Sequence, residues 1–556
     1  MATREHILVL HVLVLQHAQM CNERATPRVR LHFRVWCGVP QPGPHEQLDR
    51  SRTIYTKSCD ARRRRLMLAA FSTSASMLVL SSNGLYRPVQ HEAFAVAPML
   101  GHTNRHWHHF FRLLSDHAHL YTEMIPAAQF VQASQLLDEH DFHREFAPHG
   151  DGAAITLQLG GHRREVLAQA AALGARLGYR AINLNCGCPS AAVSGGGRAG
   201  GAALMREPTH VADCCAAMLE AITTSAATQG SSHPPSSLTV KMRLGVADAS
   251  TFDVAADVAA GDGPAIDSAS TFIDAVSAAG VTRLQVHGRL ALLGEFGNNA
   301  AAGIDQPPAL WVPPTSGSDA ASQRARASVP SRKVDHKREQ YKAKQRARQA
   351  TLANRAVPPL RLSAVRRLAS ERYPELQLVA NGGLDSLVAV EQELGLGMHG
   401  GMVGRAAINH PCAFAAADRL WRAKPRPPRT RGEVLELYGA YCDRVEAEAA
   451  RAASASASVS SMAPAAPEKL IAPVFNLFAG VEGSERYQRR LRRIQRRGLS
   501  RQVPPESQAS ALLRAAAAEL SAEALAMEVT DAVPVSELVT YEHATKRAGP
   551  LQRQIH

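Results

Sequence analysis

Between residues 93 and 425 the chain alternates short apolar runs with helix-length amphipathic stretches, and this alternation constrains its fold more than any other feature. Eight runs recur: Phe94 to Met99, Leu120 to Ile125, Ala154 to Leu159, Ala181 to Leu184, Leu238 to Met242, Arg283 to Val286, Leu376 to Ala380, and Gly400 to Val403. Runs this short, bounded by turn residues, read as buried strands. Helical patterns separate most of them: Arg164 to Leu177, His210 to Ile222, Thr271 to Ala279, Ser363 to Arg372, and Ser386 to Leu394. Strand followed by helix, eight times over, predicts a parallel sheet closed into a (β/α)8 TIM barrel, an α/β fold.

The rhythm breaks once, after the sixth run. A compact domain rarely holds so long a loop without structure of its own, so residues 295–353 read as a basic low-complexity insertion with a basic helix around Asp335 to Ala350. Beyond the barrel, Glu433 to Glu448 and Lys469 to Met527 look helical, which predicts a second, all-helical domain at 428–530. The Ala/Ser run Ala449 to Ala466 reads as a linker inside it, and 531–556 as a tail. Residues 1–90 show no sustained periodicity. Their run Ala61-Arg62-Arg63-Arg64-Arg65 and the Ser-rich sequence after it suit either an organellar transit segment or an unfolded extension. An intracellular location is expected, in chloroplast or mitochondrion if that segment is a targeting signal and in the cytoplasm otherwise.

Charge narrows the partners. The formal net charge is +14, and only nine of the 63 cationic residues are lysine. The arginines crowd into Arg324 to Arg372, Arg422 to Arg431, and Arg486 to Arg501, a clustering that base composition alone does not explain. A polyanion, nucleic acid first, is the expected partner. No apolar run reaches the roughly 18 residues that span a bilayer, which excludes a polytopic membrane protein. Nine cysteines without regular spacing do not make a secreted disulfide framework, and no second pair completes a zinc site around Cys186 and Cys188. No metal is expected.

In such a barrel, side chains at the carboxyl ends of strands carry chemistry. The fourth run ends in Asn183-Leu184-Asn185-Cys186-Gly187-Cys188-Pro189, whose Gly-Cys-Pro turn exposes Cys188 as a proton donor, while Cys186 reads as a packing residue. Lys241 and Arg243 lie on the fifth run, and Lys241 is the only lysine between Lys57 and Lys333. A lysine in a buried strand is costly without a partner, which points to an anionic cofactor. His287-Gly288-Arg289 closes the sixth run, Asn381-Gly382-Gly383 the seventh, and Gly404-Arg405 the eighth. Glycine turns there can present peptide N–H groups to a phosphate. Gln158 closes the third run with an amide able to pair with the donor and acceptor edge of a flavin ring.

Taken in order, Ala97-Pro98-Met99, Thr122-Glu123-Met124, Gln158-Leu159-Gly160-Gly161, Asn183 to Pro189, Lys241-Met242-Arg243, His287, Asn381-Gly382-Gly383 and Gly404-Arg405 strongly resemble the tRNA-dihydrouridine synthases. Thr103-Asn104-Arg105-His106, Asn354-Arg355-Ala356-Val357-Pro358-Pro359-Leu360 and Leu477-Phe478-Ala479-Gly480 resemble the class acting at positions 20 and 20a of the tRNA D-loop. The resemblance implies FMN over the barrel mouth, NADPH as reductant, and a flipped uracil above the flavin. Pro98 and Met99 would then support the ring system, Gln158 and Lys241 its polar edge, and His287, Asn381, Gly382, Gly383, Gly404 and Arg405 the phosphate side. Flavin N5 would deliver hydride to uracil C6 while Cys188 protonates C5. Asn185, Arg289, Asn354 and Arg355 would contact the RNA. The arginines of 486–501 and 422–431 would grip tRNA phosphates from a monomeric protein.

Some positions depart from the family pattern. Gly101-His102 replaces an acidic and an aromatic residue, and Leu290 stands where a basic residue usually follows Arg289. The insertion separates Arg289 from Asn354-Arg355, and Gln306-Pro307-Pro308-Ala309-Leu310 competes with Val357 to Leu360 for the same alignment; the helix and strand that follow favour the latter. Two other readings remain at this stage: an FMN-dependent barrel oxidoreductase acting on a small molecule, and a non-catalytic RNA-binding protein on a decayed barrel.

Overall fold

The computed structural model describes residues 93–148, 155–190, 193, 200–229, 236–294, 353–422, 425–455, 467–497 and 508–531. The N-terminal extension, almost all of the expected insertion and the tail lie outside the described residues. Eight parallel strands form the centre: β1 Phe94–Val96, β2 His119–Tyr121, β3 Ile155–Gly160, β4 Ala181–Cys186, β5 Ser237–Arg243, β6 Arg283–His287, β7 Gln377–Asn381 and β8 Gly400–Val403. Each overlaps one expected run. They pair in chain order, and β1 meets β8 with Phe94 opposite Gly401 to close the barrel. After Tyr121 the chain leaves the ladder. The Thr122 hydroxyl accepts the Gln158 N–H at 2.9 Å, and pairing resumes at Ile125–Pro126 beside Leu159 and Gly160.

The pleat sorts each strand into two faces. On β4, Ile182, Leu184 and Cys186 join the large apolar core beneath the helices, while Asn183 and Asn185 take the other parity and bond across the barrel interior. On β5, Leu238, Val240 and Met242 pack outward and Thr239, Lys241 and Arg243 alternate with them. Inside, Ala95, Ala97, Tyr121, Val379 and Met402 form a small apolar cluster on one side. Polar Gln158, Asn183, Thr239 and Gln285 fill the other and are all buried.

Helices Arg164–Arg176, Pro208–Gln229, Gly263–Ala278 and Leu387–Gly395 wrap the strands, close to the sequence expectation. The expected helix at Ser363 to Arg372 is an α-helix over Leu362–Arg367 that continues as a π turn, Leu368–Arg372. Helix Arg105–Leu114 lies outside the expected helices, although Trp107, Phe110, Phe111 and Leu114 recur at helical spacing and form its buried face. A second signal is the N-cap, where the Asn104 side chain accepts from the His106 and Trp107 N–H groups. Among the described residues no helix is long and apolar enough to cross a membrane.

The helical region comprises Arg431–Ala455, Pro467–Ile471, Ala472–Asn476, Ser484–Arg497, Gln508–Ala517 and Ala522–Ala526. Its first helix runs past Glu448 into the expected linker. Thr430 and Glu433 form a reciprocal capping box at its start, the Thr430 N–H donating to Glu433 and the Glu433 N–H to the Thr430 hydroxyl. Thr430 also bridges Glu528, so the region's two ends meet. It packs on the barrel through aromatic and imidazole rings. His106 Nδ1 lies 2.7 Å from the Tyr441 hydroxyl, and His109 stacks on Tyr441 at 3.9 Å. Burial pulls His106 down to about 3 and His109 to about 4, so both are neutral at neutral pH.

Candidate active site

The carboxyl ends of β4 to β8 bring most of the expected residues to one mouth. Strand register sets their neighbours: Asn185 stands opposite Lys241, Arg243 opposite His287, and His287 opposite Asn381. Lys241 Nζ donates to Asn381 Oδ1 at 2.9 Å, and Asn381 Nδ2 donates to the Met402 carbonyl at 2.7 Å. Water reaches part of Lys241 through the mouth, yet the protein around its ammonium governs its charge. Burial, with Arg243 adding repulsion and Cys188 opposing it, lowers Lys241 from 10.5 to about 7. Burial likewise draws Arg243 down to about 10, and holds His287 well below its ordinary value with Arg243, Lys241, Arg289 and Arg405 reinforcing the effect. Arg355 falls to about 10 through burial and the nearness of Arg405. No carboxylate is among the causes of these shifts. Cations gathered at one rim form a site for an anion.

Cys188 sits half-buried on the turn after β4. Its N–H and that of Gly187 both donate to Asn185 Oδ1 at 3.0 Å. Arg243 Nε donates to the Gly187 carbonyl at 3.1 Å, and the Ala202 N–H to the Cys188 carbonyl at 2.9 Å. Gly187 is needed for close approach, since a Cβ there would lie 3.3 Å from the Met242 carbonyl carbon. Cys186, the last residue of β4, is fully buried in the apolar core with Ile182 and Leu184, and burial raises its thiol well above the usual range. One thiol is therefore placed to exchange a proton at the mouth and the other is packed.

The two glycine turns differ. Gly382 and Gly383 adopt φ of +108° and +71°, which favour glycine, and a Cβ would lie 2.6 Å from the His287 ring at the first and 2.5 Å from Leu360 at the second. At Gly404 an added Cβ would meet nothing within 4 Å. The open cradle is thus at Gly404, flanked by Arg405, while the Gly-Gly turn packs beneath Leu360. Pro98 and Met99 are half-buried on the turn after β1, where the Met99 N–H donates to the Thr103 hydroxyl at 2.9 Å.

Three expected contacts are engaged inside the protein. Gln158 is buried, and its amide is bonded at both ends, to Asn183 and Asn185. Asn185 is held by the Cys188 turn and Gln158. Asn354 is buried with both amide atoms on the backbone of Leu292, at 2.7 and 2.8 Å. That pairing ties the two flanks of the insertion together. Arg289 donates to the Pro358 carbonyl, so the 354–360 segment does return beside Arg289, as the preferred alignment requires. Gln306 to Leu310 lies outside the described residues. Sequence reasoning passed over Asn183, Gln285, Glu123 and His102. The first two carry the parity of Asn185 and Lys241, which is the signal that finds them. Glu123 accepts the Gly101 N–H, and burial raises its carboxyl. His102 is held neutral, at about 4, by burial and by Arg355.

A family model described as dihydrouridine synthase matches residues 95–311 and 346–471, interrupted inside the expected insertion. A tRNA-dihydrouridine(20/20a) synthase of Xanthomonas axonopodis pv. citri is 33% identical over 369 residues, covering 64% of this chain and 78% of its own. Its counterpart in Xanthomonas campestris pv. campestris is 34% identical over 62% of this chain and 76% of its own. One in Synechocystis sp. is 29% identical over 63% and 78%.

Proposed function

Because the chain belongs to the dihydrouridine synthase family, we propose that it reduces uridine to 5,6-dihydrouridine at positions 20 and 20a of the tRNA D-loop, with FMN bound at the mouth and NADPH as reductant. The observation that carries this reading is a half-buried Cys188 on the same rim as Lys241, Arg243, His287, Arg289, Arg355 and Arg405. The residues suit FMN by their own chemistry: open space at Gly404 that an added Cβ would occupy, and cations gathered at one rim. Gly404 and Arg405 would take the phosphate side, helped by His287 and the Asn381-Gly382-Gly383 turn. Lys241 would face the polar edge, and Pro98 and Met99 would support the ring system.

FMN, when bound, supplies the hydride that no side chain carries. The chain's own residues do the rest. Cys188 Sγ holds the proton for uracil C5, on a turn fixed by Asn185, Arg243 and Ala202. Lys241 offsets negative charge at the cofactor, oriented by Asn381. Arg289 and Arg355 receive the extruded nucleotide, since C5 and C6 are inaccessible while the base is stacked. The deciding experiment is NADPH oxidation with unmodified tRNA, with dihydrouridine read by mass spectrometry. Cys188→Ala should keep bound flavin and its reduction by NADPH yet form no dihydrouridine, while Cys186→Ala stays active. Full product formation by Cys188→Ala removes the assignment.

Lys241 gives a second check. Its folded pKa, about 7, lies below its ordinary 10.5, so between these values the unfolded chain binds the extra proton. Stability of the cofactor-free protein therefore rises with pH across that window and is lowest below it, where a charged ammonium stays buried. A bound anion restores that charge, so flavin binding at pH 8.5 should take up a proton, measurable by calorimetry in buffers of different ionisation enthalpy. Lys241→Met should abolish the uptake.

A further inference from the structure

The carboxamides that cross the barrel have a determined polarity. The peptide N–H groups of Gly187 and Cys188 can only donate, so the Asn185 atom 3.0 Å from both is its oxygen. Its nitrogen then faces Gln158 Oε1 at 3.1 Å, and Gln158 Nε2 faces Asn183 Oδ1 at 2.7 Å. Asn183 Nδ2 in turn donates to Thr239 Oγ1 at 2.8 Å and Gln285 Oε1 at 2.9 Å. At the far end Gln285 Nε2 is buried without a hydrogen-bond partner. An unpaired buried donor is costly. Turning every amide over would give that nitrogen Asn183 Oδ1, but it would set the Asn185 nitrogen against the two N–H groups of the Cys188 turn.

We propose that Asn185 is a positioning residue for Cys188: its carboxamide, braced by Gln158 and Asn183, holds the turn that carries the proton donor. The proposal rests on the reading of Cys188 as that donor. Asn185 is 7% exposed; its oxygen takes both N–H groups of the turn, and its nitrogen gives one of its two N–H groups to Gln158. From the other side, Arg243 and Ala202 hold the carbonyls of Gly187 and Cys188. The turn is thus gripped by its N–H groups from the barrel interior and by its carbonyls from the rim. Release of one grip lets the thiol drift, and a displacement of about 1 Å at a reacting group costs on the order of a hundredfold in rate.

The test uses full-length, flavin-loaded Asn185→Ala and Asn185→Asp with unmodified tRNA. Asn185→Ala should lower kcat for dihydrouridine about a hundredfold while the tRNA Kd stays within about twofold and flavin content is unchanged. Asn185→Asp keeps an acceptor for the turn, and its second oxygen lets the amide chain turn over so that Gln285 Nε2 gains Asn183 Oδ1; it should recover at least about tenfold of the lost kcat. Iodoacetamide modification of Cys188, followed on its own peptide by mass spectrometry, gives a readout free of turnover. Its rate should rise in the Ala variant as the turn loosens, and stay at or below the unmutated rate in the Asp variant, whose charge disfavours the thiolate. A tRNA Kd raised about tenfold, with kcat and alkylation unchanged, would make Asn185 an RNA contact and overturn the proposal. If the Ala variant does not fold, the same split read on the Asp variant decides. If the unmutated protein forms no dihydrouridine, the functional reading fails, and the alkylation rates still decide the positioning role.

Discussion

Two arginine-rich stretches of the helical region have similar composition and opposite fates. In Arg422 to Arg431, Arg422 stays exposed and the other three guanidinium groups turn inward. Arg426 and Arg429 donate to the Arg112 and Leu113 carbonyls at 2.7 and 2.9 Å, at the carboxyl end of helix Arg105–Leu114. Arg431 is 1% exposed and donates to the Leu477 carbonyl at 3.2 Å. Beside them Asp418 accepts from the Ser115 hydroxyl and the Asp116 and His117 N–H groups. In helix Ser484–Arg497 only Tyr487 and Leu491, one turn apart, are fully buried among the residues whose side chains are described. Arg486, Arg489, Arg492 and Arg493 stay exposed, Arg492 lying 4.9 Å over the Phe475 ring. The second stretch thus presents its guanidinium groups to water, while Arg426, Arg429 and Arg431 of the first are engaged by the protein. What each stretch passes decides the matter: the first crosses a helix terminus whose last carbonyls lack intrahelical donors, and the second has water on most of its circumference.

The sharpest way to break this contrast is Arg431→Ala. Loss of a buried side chain, with the Leu477 carbonyl left short of a donor, should cost about 3 kcal/mol in urea unfolding. A loss under about 1 kcal/mol would place Arg431 with the exposed arginines. The reciprocal change, Arg486, Arg489 and Arg493 to Ala together, should leave stability within about 0.5 kcal/mol. It should weaken tRNA binding about tenfold at physiological salt and flatten the log–log salt slope by about 0.7 to 0.9 for each phosphate no longer neutralised. Unchanged affinity over a salt series would remove this helix from the RNA interface. The smallest effect is expected for deletion of 300–350, the third basic stretch. Asn354 already joins the flanks by bonding Leu292, so closing a shorter loop should alter stability by less than about 0.5 kcal/mol. It should reduce tRNA affinity less than the three-arginine change. A steep loss of affinity in the deletion alone would move the RNA grip to the insertion.

Much of the fold was legible because strands and helices announce themselves over a few neighbouring residues. Eight runs and five helices came from periodicity, and the Gly-Cys-Pro turn beyond β4 separates Cys188 from Cys186, the last residue of the strand. Helix Arg105–Leu114 was not among the expected helices although its period and its Asn104 cap were both in plain view, Trp107, Phe110, Phe111 and Leu114 recurring at helical spacing on one buried face. The site was legible as a set of residues at strand ends and not as a set of bonds.

By itself, then, the sequence determined the barrel and the mouth at which Cys188, Lys241, His287 and Arg405 gather, since each stands at or just beyond the carboxyl end of a strand in a local pattern repeated eight times. Only the tertiary structure decided which polar groups are committed to one another. Gln158 meets Asn185 across 27 positions, Lys241 meets Asn381 across 140, and His106 meets Tyr441 across 335. Asn354 likewise became a clasp for Leu292, and Arg431 a buried donor. The physical reason is that a donor or acceptor has no preferred partner along the chain. Its role is set by whichever complementary group folding brings within about 3 Å, and by whether water can still compete for it.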